Sequence, residues 1–138
     1  SVSDIPFDSK NIAKIFSNIA SKNIIVDMIS QTAPHNNLIN ISFTVEKNDL
    51  YDLEVVLVDL KSEMPSCDFS FNDEVVKLSI IGVGMISQSG VASKLFDVFS
   101  ENSIHFYQVT TSEISISYTV HRDDLENAIN IIAKVFEL

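Results

Sequence analysis

Two strand-to-helix turns carry most of the chemistry in this sequence. The first reads Phe7-Asp8-Ser9-Lys10-Asn11 and the second Met85-Ile86-Ser87-Gln88-Ser89-Gly90. A helix start presents unpaired N–H groups and the positive end of the helix dipole, which together seat a carboxylate. An α-amino acid also needs an acceptor for its ammonium group. Asp27, inside the apolar run Ile24 to Ile29, is the candidate, with a solvated strand-edge residue as the competing reading. Gln31 follows on the same strand and offers a side-chain amide, or is a plain loop residue.

Other chemistries find less support. His35, His105 and His121 have no ligand spacing with Cys67 or with a carboxylate, so no metal site is expected. No nucleophile–base constellation is readable, and the chain by itself is not expected to be an enzyme. Gly82-Val83-Gly84 followed by Gly90 lacks both the dinucleotide spacing and the Gly-Lys-Ser/Thr ending of a phosphate loop. No cofactor is expected. Nine basic residues against nineteen acidic ones, a net charge of -10, disfavour nucleic acid and anionic membrane surfaces. One cysteine rules out an intrachain disulfide framework and fits a reducing cytoplasm. No apolar run is long enough to span a bilayer, and no signal peptide is visible.

These turns are positioned by a repeat. Phe16 aligns with Phe96, Lys14 with Lys94 and Ile24 with Ile104. Further on, Ile41-Ser42-Phe43-Thr44-Val45 matches Ile116-Ser117-Tyr118-Thr119-Val120, and Asp49-Leu50 matches Asp124-Leu125. The alignment offset falls from 80 to 75, which places an insertion of about five residues in the first repeat, in Thr32 to Asn37. Ile12, Ile15, Phe16 and Ile19 recur at helical spacing, as do Val91, Leu95, Val98 and Phe99. Strands are expected at Ile24 to Ile29 and Ile104 to Val109. Alternating strands follow at Ile39 to Val45 and Ile114 to Val120, then helices at Asp49 to Lys61 and Asp124 to Val135. Asp123 with Glu126 has the spacing of a capping box. Cys67 to Phe71 supplies a further strand, and Val75 to Gly82 opens the second repeat.

The order β-α-β-β-α-β predicts an α+β chain of two ferredoxin-like modules, residues 1–74 and 75–138, each an antiparallel sheet with helices on one face. A counterpart to Cys67–Phe71 would fall beyond Leu138, so the second module lacks its last strand. Ser1, already close to a strand, points to a piece of a longer protein.

The runs Asn23-Ile24-Ile25-Val26-Asp27-Met28-Ile29-Ser30-Gln31, Val83-Gly84-Met85, Gly90-Val91-Ala92 and Thr111-Ser112-Glu113-Ile114-Ser115-Ile116-Ser117 stand in order along the chain. Together they resemble the tandem ACT domains at the C-terminal, regulatory end of aspartokinases. The resemblance implies a parent enzyme whose N-terminal kinase domain phosphorylates aspartate with ATP. It also implies a dimer through the ACT domains and lysine or threonine bound at ACT–ACT interfaces. Carried over by position, Asp8, Ser9, Lys10 and Asn11 would hold part of the effector, Val26, Asp27, Met28 and Gln31 would line the strand side, and His105 and Phe106 would face them. It further implies that a strand from upstream of the first domain completes the second. The family's first turn carries Pro-Gly after an acidic residue, whereas this chain has Asp8-Ser9-Lys10-Asn11. The leading expectation is an allosteric amino-acid sensor. The alternative is a constitutive ACT dimerisation module without a functional effector site. An RNA-binding module on the same plan would need a basic surface and exposed sheet aromatics.

Overall fold

A computed structural model describes residues 1–82 and 88–136, positions 88 and 89 by backbone alone. Val83 to Ser87, with most of the second strand-to-helix turn and Gly84, lie outside the described residues. The chain divides into two compact units, Ser1–Asp73 and Glu74–Leu138.

The first unit runs β1 (Val2–Pro6), α1 (Ser9–Ser21), β2 (Val26–Gln31), β3 (Leu38–Val45), α2 (Leu50–Glu63) and β4 (Asp68–Phe69). Its sheet has the order β2-β3-β1-β4. Both β1 and β2 pair antiparallel to β3, so they run parallel to each other and their C-terminal ends share one end of the sheet. Alternation along β3 turns Ile39 and Ile41 inward, where they meet Ile15 and Ile19 of α1 and Leu53, Val56, Leu57 and Leu60 of α2. The expected strand at Cys67–Phe71 shrinks to two residues, because it meets only Val2 and Ser3 of β1. The polar insertion forms a tight turn at His35-Asn36-Asn37-Leu38, with φ of 52° at Asn36 and 62° at Asn37. Asparagine tolerates this left-handed conformation better than most side chains.

The second unit runs β5 (Val75–Ile81), α3 (Gln88–Glu101), β6 (Phe106–Thr111), β7 (Ser115–His121) and α4 (Leu125–Val135). Its sheet has the order β5-β7-β6, one strand fewer than the first, and β5 is an edge. The expected capping box at Asp123 is replaced by a 3-10 turn at Arg122–Asp124. Its cap is His121, whose Nδ1 accepts the Asp123 N–H at 3.1 Å, and Asp124 precedes α4 without a side-chain cap bond. A neutral ring nitrogen in the right place accepts a helix-end N–H where a carboxylate was expected to.

The repeat persists inside the cores. Phe43 and Phe16 lie 5.7 Å apart in the first unit. Their aligned residues Tyr118 and Phe96 lie 6.0 Å apart, edge to face, and Phe99 approaches Tyr118 at 4.7 Å. Tyr118 is fully buried and its hydroxyl finds no hydrogen-bond partner among the described residues. Where the first unit uses phenylalanine, this oxygen is surplus. Tyr118→Phe is therefore expected to stabilise the second unit by about 1–3 kcal/mol, the desolvation cost of an unsatisfied polar group. Burial also pushes the phenol up to about 12. A raised folded pKa favours folding while the unfolded phenol stays protonated, and that advantage is lost as pH climbs toward the folded value. Chemical denaturation should show stability falling by about 2–3 kcal/mol between about pH 10 and 12. Equal alkaline slopes for wild type and Tyr118→Phe would refute the assignment.

Candidate functional site

The turn after β1 is built by its own polar groups. Asp8 is extended, with φ of -152°, and its Oδ1 accepts the Lys10 N–H at 2.9 Å as the N-cap of α1. Its carbonyl accepts the Asn11 N–H at 3.0 Å, and the Asn11 side-chain amide donates to the Pro6 carbonyl at 3.0 Å. The Phe7 N–H donates to the Asn37 carbonyl at 2.9 Å, which ties the turn to the inserted hairpin. In the second unit the Gly82 N–H makes the same kind of tether to the Ile114 carbonyl, also at 2.9 Å. These bonds fix the course of the first turn.

Between this turn and the end of β2 lies an open cavity of about 590 Å³ lined by Phe7, Asp8, Ser9, Ile12, Ala13 and Gln31. Its size falls in the range of small-molecule sites. The parallel course of β1 and β2 puts the helix start and Gln31 at the same end of the sheet. Asp8 uses one oxygen on its own helix, and a carboxylate retains further acceptor positions for a ligand cation. Ser9 brings a hydroxyl at the first position of α1, and Gln31 brings both amide functions. Phe7, half exposed, with Ile12 and Ala13 forms an apolar wall. Such a lining suits a small zwitterion with an aliphatic stem.

Of the residues expected to act together, Asp8, Ser9 and Gln31 meet at the cavity, and Lys10 and Asn11 sit on the same turn. Val26 packs on the first core. Met28 is buried and takes φ of 51° in a β-bulge, where Asp27 pairs with Thr44 but Ser30 with Ser42. Asp27 Oδ1 accepts the Met28 N–H at 2.8 Å, and the Thr44 hydroxyl donates to the Asp27 carbonyl at 3.2 Å. Four strand positions separate Asp27 from Gln31, roughly 13 Å of extended chain. Asp27 thus closes the bulge and does not line the cavity. Asp27→Ala is expected to cost about 1 kcal/mol of stability, one hydrogen bond. A urea midpoint equal to the wild type's would show the bulge holds without it.

His105 and Phe106 belong to the second unit. His105 is exposed. Phe106 joins that unit's aromatic cluster, 5.3 Å from Tyr118 and 5.4 Å from Phe96. The apolar wall of the cavity was not singled out as a site in the sequence, since Ile12 reads as core and Ala13 as neutral helix surface. The one signal was Phe7, a large apolar residue immediately before a capping aspartate.

Tandem units with the order βαββα, the first with a further short strand, are the architecture of ACT-type regulatory modules. The profile of the ACT domain family matches residues 78–136. The aspartate kinase Ask_LysC of Stutzerimonas stutzeri is 36% identical over 132 residues, which cover 95% of this chain and 32% of that protein. Aspartokinase 2 of Bacillus subtilis is 34% identical over 127 residues, 92% of this chain and 31% of that protein. The chain therefore spans about a third of the length of the curated relatives it matches. A chain in the crystal structure of aspartokinase alpha and beta subunits superposes with a TM-score of 0.88 at 30% identity, covering 99% of this chain and 91% of that one. The ligand-free regulatory subunit of aspartate kinase from Thermus thermophilus gives a TM-score of 0.89 at 27% identity, with coverage of 98% and 89%. The chain belongs to the aspartokinase family and is a regulatory ACT segment of it.

Proposed function

We propose that this segment senses an end-product amino acid, lysine or threonine, and so controls the phosphorylation of aspartate by ATP in its parent kinase. The observation that carries the reading is the cavity at the start of α1, where Asp8, Ser9 and Gln31 stand opposite an apolar wall. In this reading the free oxygen of Asp8 meets the ligand ammonium, replacing Asp27 in the role expected from sequence. The α-carboxylate takes the positive end of α1 beside Ser9. Gln31 bonds whichever polar group remains. A second copy of the chain, pairing through its ACT modules, closes the open side. The exposed Ile25, just before β2, and Ile29 within it support that pairing. Regulation then follows if the ligand binds one arrangement of the kinase better than the other, because a ligand with equal affinity for both shifts nothing.

A thermal-shift screen over the twenty amino acids tests this. At a hundred times its dissociation constant the effector adds about 2.7 kcal/mol of stability. A screen in which no amino acid raises the melting temperature would leave a constitutive dimerisation module.

A further inference from the structure

Helix α2 is apolar on two opposite faces. Leu53, Val56, Leu57 and Leu60 fill the core. On the far side Tyr51, Val55 and Val58 recur at i, i+4 and i+7 and are 76%, 39% and 54% exposed. The repeat supplies an internal control. The aligned positions of α4, which occupies the same place in the second unit, are Glu126, Asn130 and Ala133. The fold therefore builds this helix without the outer stripe, and an exposed apolar stripe of this kind marks an interaction surface.

The charges beside the stripe choose the partner. Asp52 and Asp59 border one side and Glu54 the other, all exposed. Lys61, the one basic residue of α2, is paired with Asp68 at 3.3 Å. Glu63 is paired with Lys14 of α1. A second copy docking helix against helix would bring these acidic borders together, in a chain whose net charge is -10. We infer that the outer face of α2 docks an amphipathic helix of another polypeptide, one with an apolar stripe bordered by lysine or arginine. Tyr51, with its large amphipathic side chain on the first turn, is the anchor. Packing of the two stripes supplies the affinity, and the acidic borders supply orientation and rate.

The probe is a synthetic helical peptide with leucines at i, i+4, i+7 and i+11 bordered by lysines. Its control carries serines in place of the leucines at the same charge. The leucine peptide should bind the chain about tenfold or more tighter than the control, and the Tyr51→Ser/Val58→Ser variant should lose that margin. Ile129→Ser, a change at an exposed apolar residue of α4, should keep it. Asp52→Lys/Asp59→Lys should also lose binding, which keeps the test open if the first variant is poorly folded. Equal binding of both peptides, or an Ile129→Ser loss as large as that of the stripe variant, would overturn the inference. So would sedimentation showing self-association that Val58→Ser abolishes, since the occupant would then be a second copy.

Discussion

Phe99→Ala is expected to remove about 3–5 kcal/mol from the second unit, the usual cost of deleting a buried aromatic. The side chain is 1% exposed and lies edge-on to Tyr118 with ring centroids 4.7 Å apart. It also touches Phe106, so the cavity would sit at the centre of the aromatic cluster, where neighbouring rings cannot collapse to fill it. Each unit has its own buried core, and none of the first unit's core residues belongs to this cluster. Hydrogen exchange should therefore show the largest loss of protection in β7 and much less in β3. Equal loss in both strands would mean that the two cores act as one. A loss below about 1 kcal/mol would mean that the cluster is far looser than its geometry.

Asp8→Asn is expected to weaken amino-acid binding by about 10- to 150-fold while leaving the fold in place. Asparagine caps a helix about as well as aspartate, so the bond to the Lys10 N–H survives the change. What disappears is the negative charge beside the cavity, and a charge-assisted bond is worth roughly 1.5–3 kcal/mol. Calorimetric titration of lysine and threonine into both proteins measures the difference. Asp27→Ala serves as the comparison, since that carboxylate closes a bulge away from the cavity and should change affinity much less. A larger loss in Asp27→Ala than in Asp8→Asn would restore Asp27 as the ammonium partner.

Much of the fold was legible because the sequence repeats it. Alternation in Ile39 to Val45 and in Ile114 to Val120 reads as a strand with one buried face, and each lies centrally in its sheet, although in β7 the polar positions Ser117 and Thr119 are buried too. The helices that follow carry apolar residues at helical spacing. Among the described residues the second sheet has three strands where the first has four, in keeping with the residue count. The bulges were not legible. Met28 at φ of 51° and Asp4 at φ of 56° shift register by backbone conformation, and neither residue type announces it. The bulge accounts for where Asp27 sits, with its carboxylate on the Met28 amide and outside the cavity lining. A carboxylate in an apolar strand looks like a ligand partner, yet the local amide of Met28 takes it. The cap at His121 escaped for a related reason, because histidine is seldom read as a helix-end acceptor. Asp8, Ser9 and Gln31 could be placed beside one another from sequence because each stands at an element end, at a helix start or at a strand end, and the sheet brings these ends to one cavity. Phe7 and Ala13 become cavity walls only when β1 and β2 bring their ends together.

Backbone amide spectra recorded during titration with lysine and, separately, with threonine test the central claim most directly. One of the two should shift the amides of Phe7 to Ala13 and of Gln31, in a saturable way and with the largest changes at Ser9 and Lys10. If neither amino acid moves these resonances at millimolar concentration, or if the shifts fall elsewhere, the cavity at the start of α1 is not an effector site.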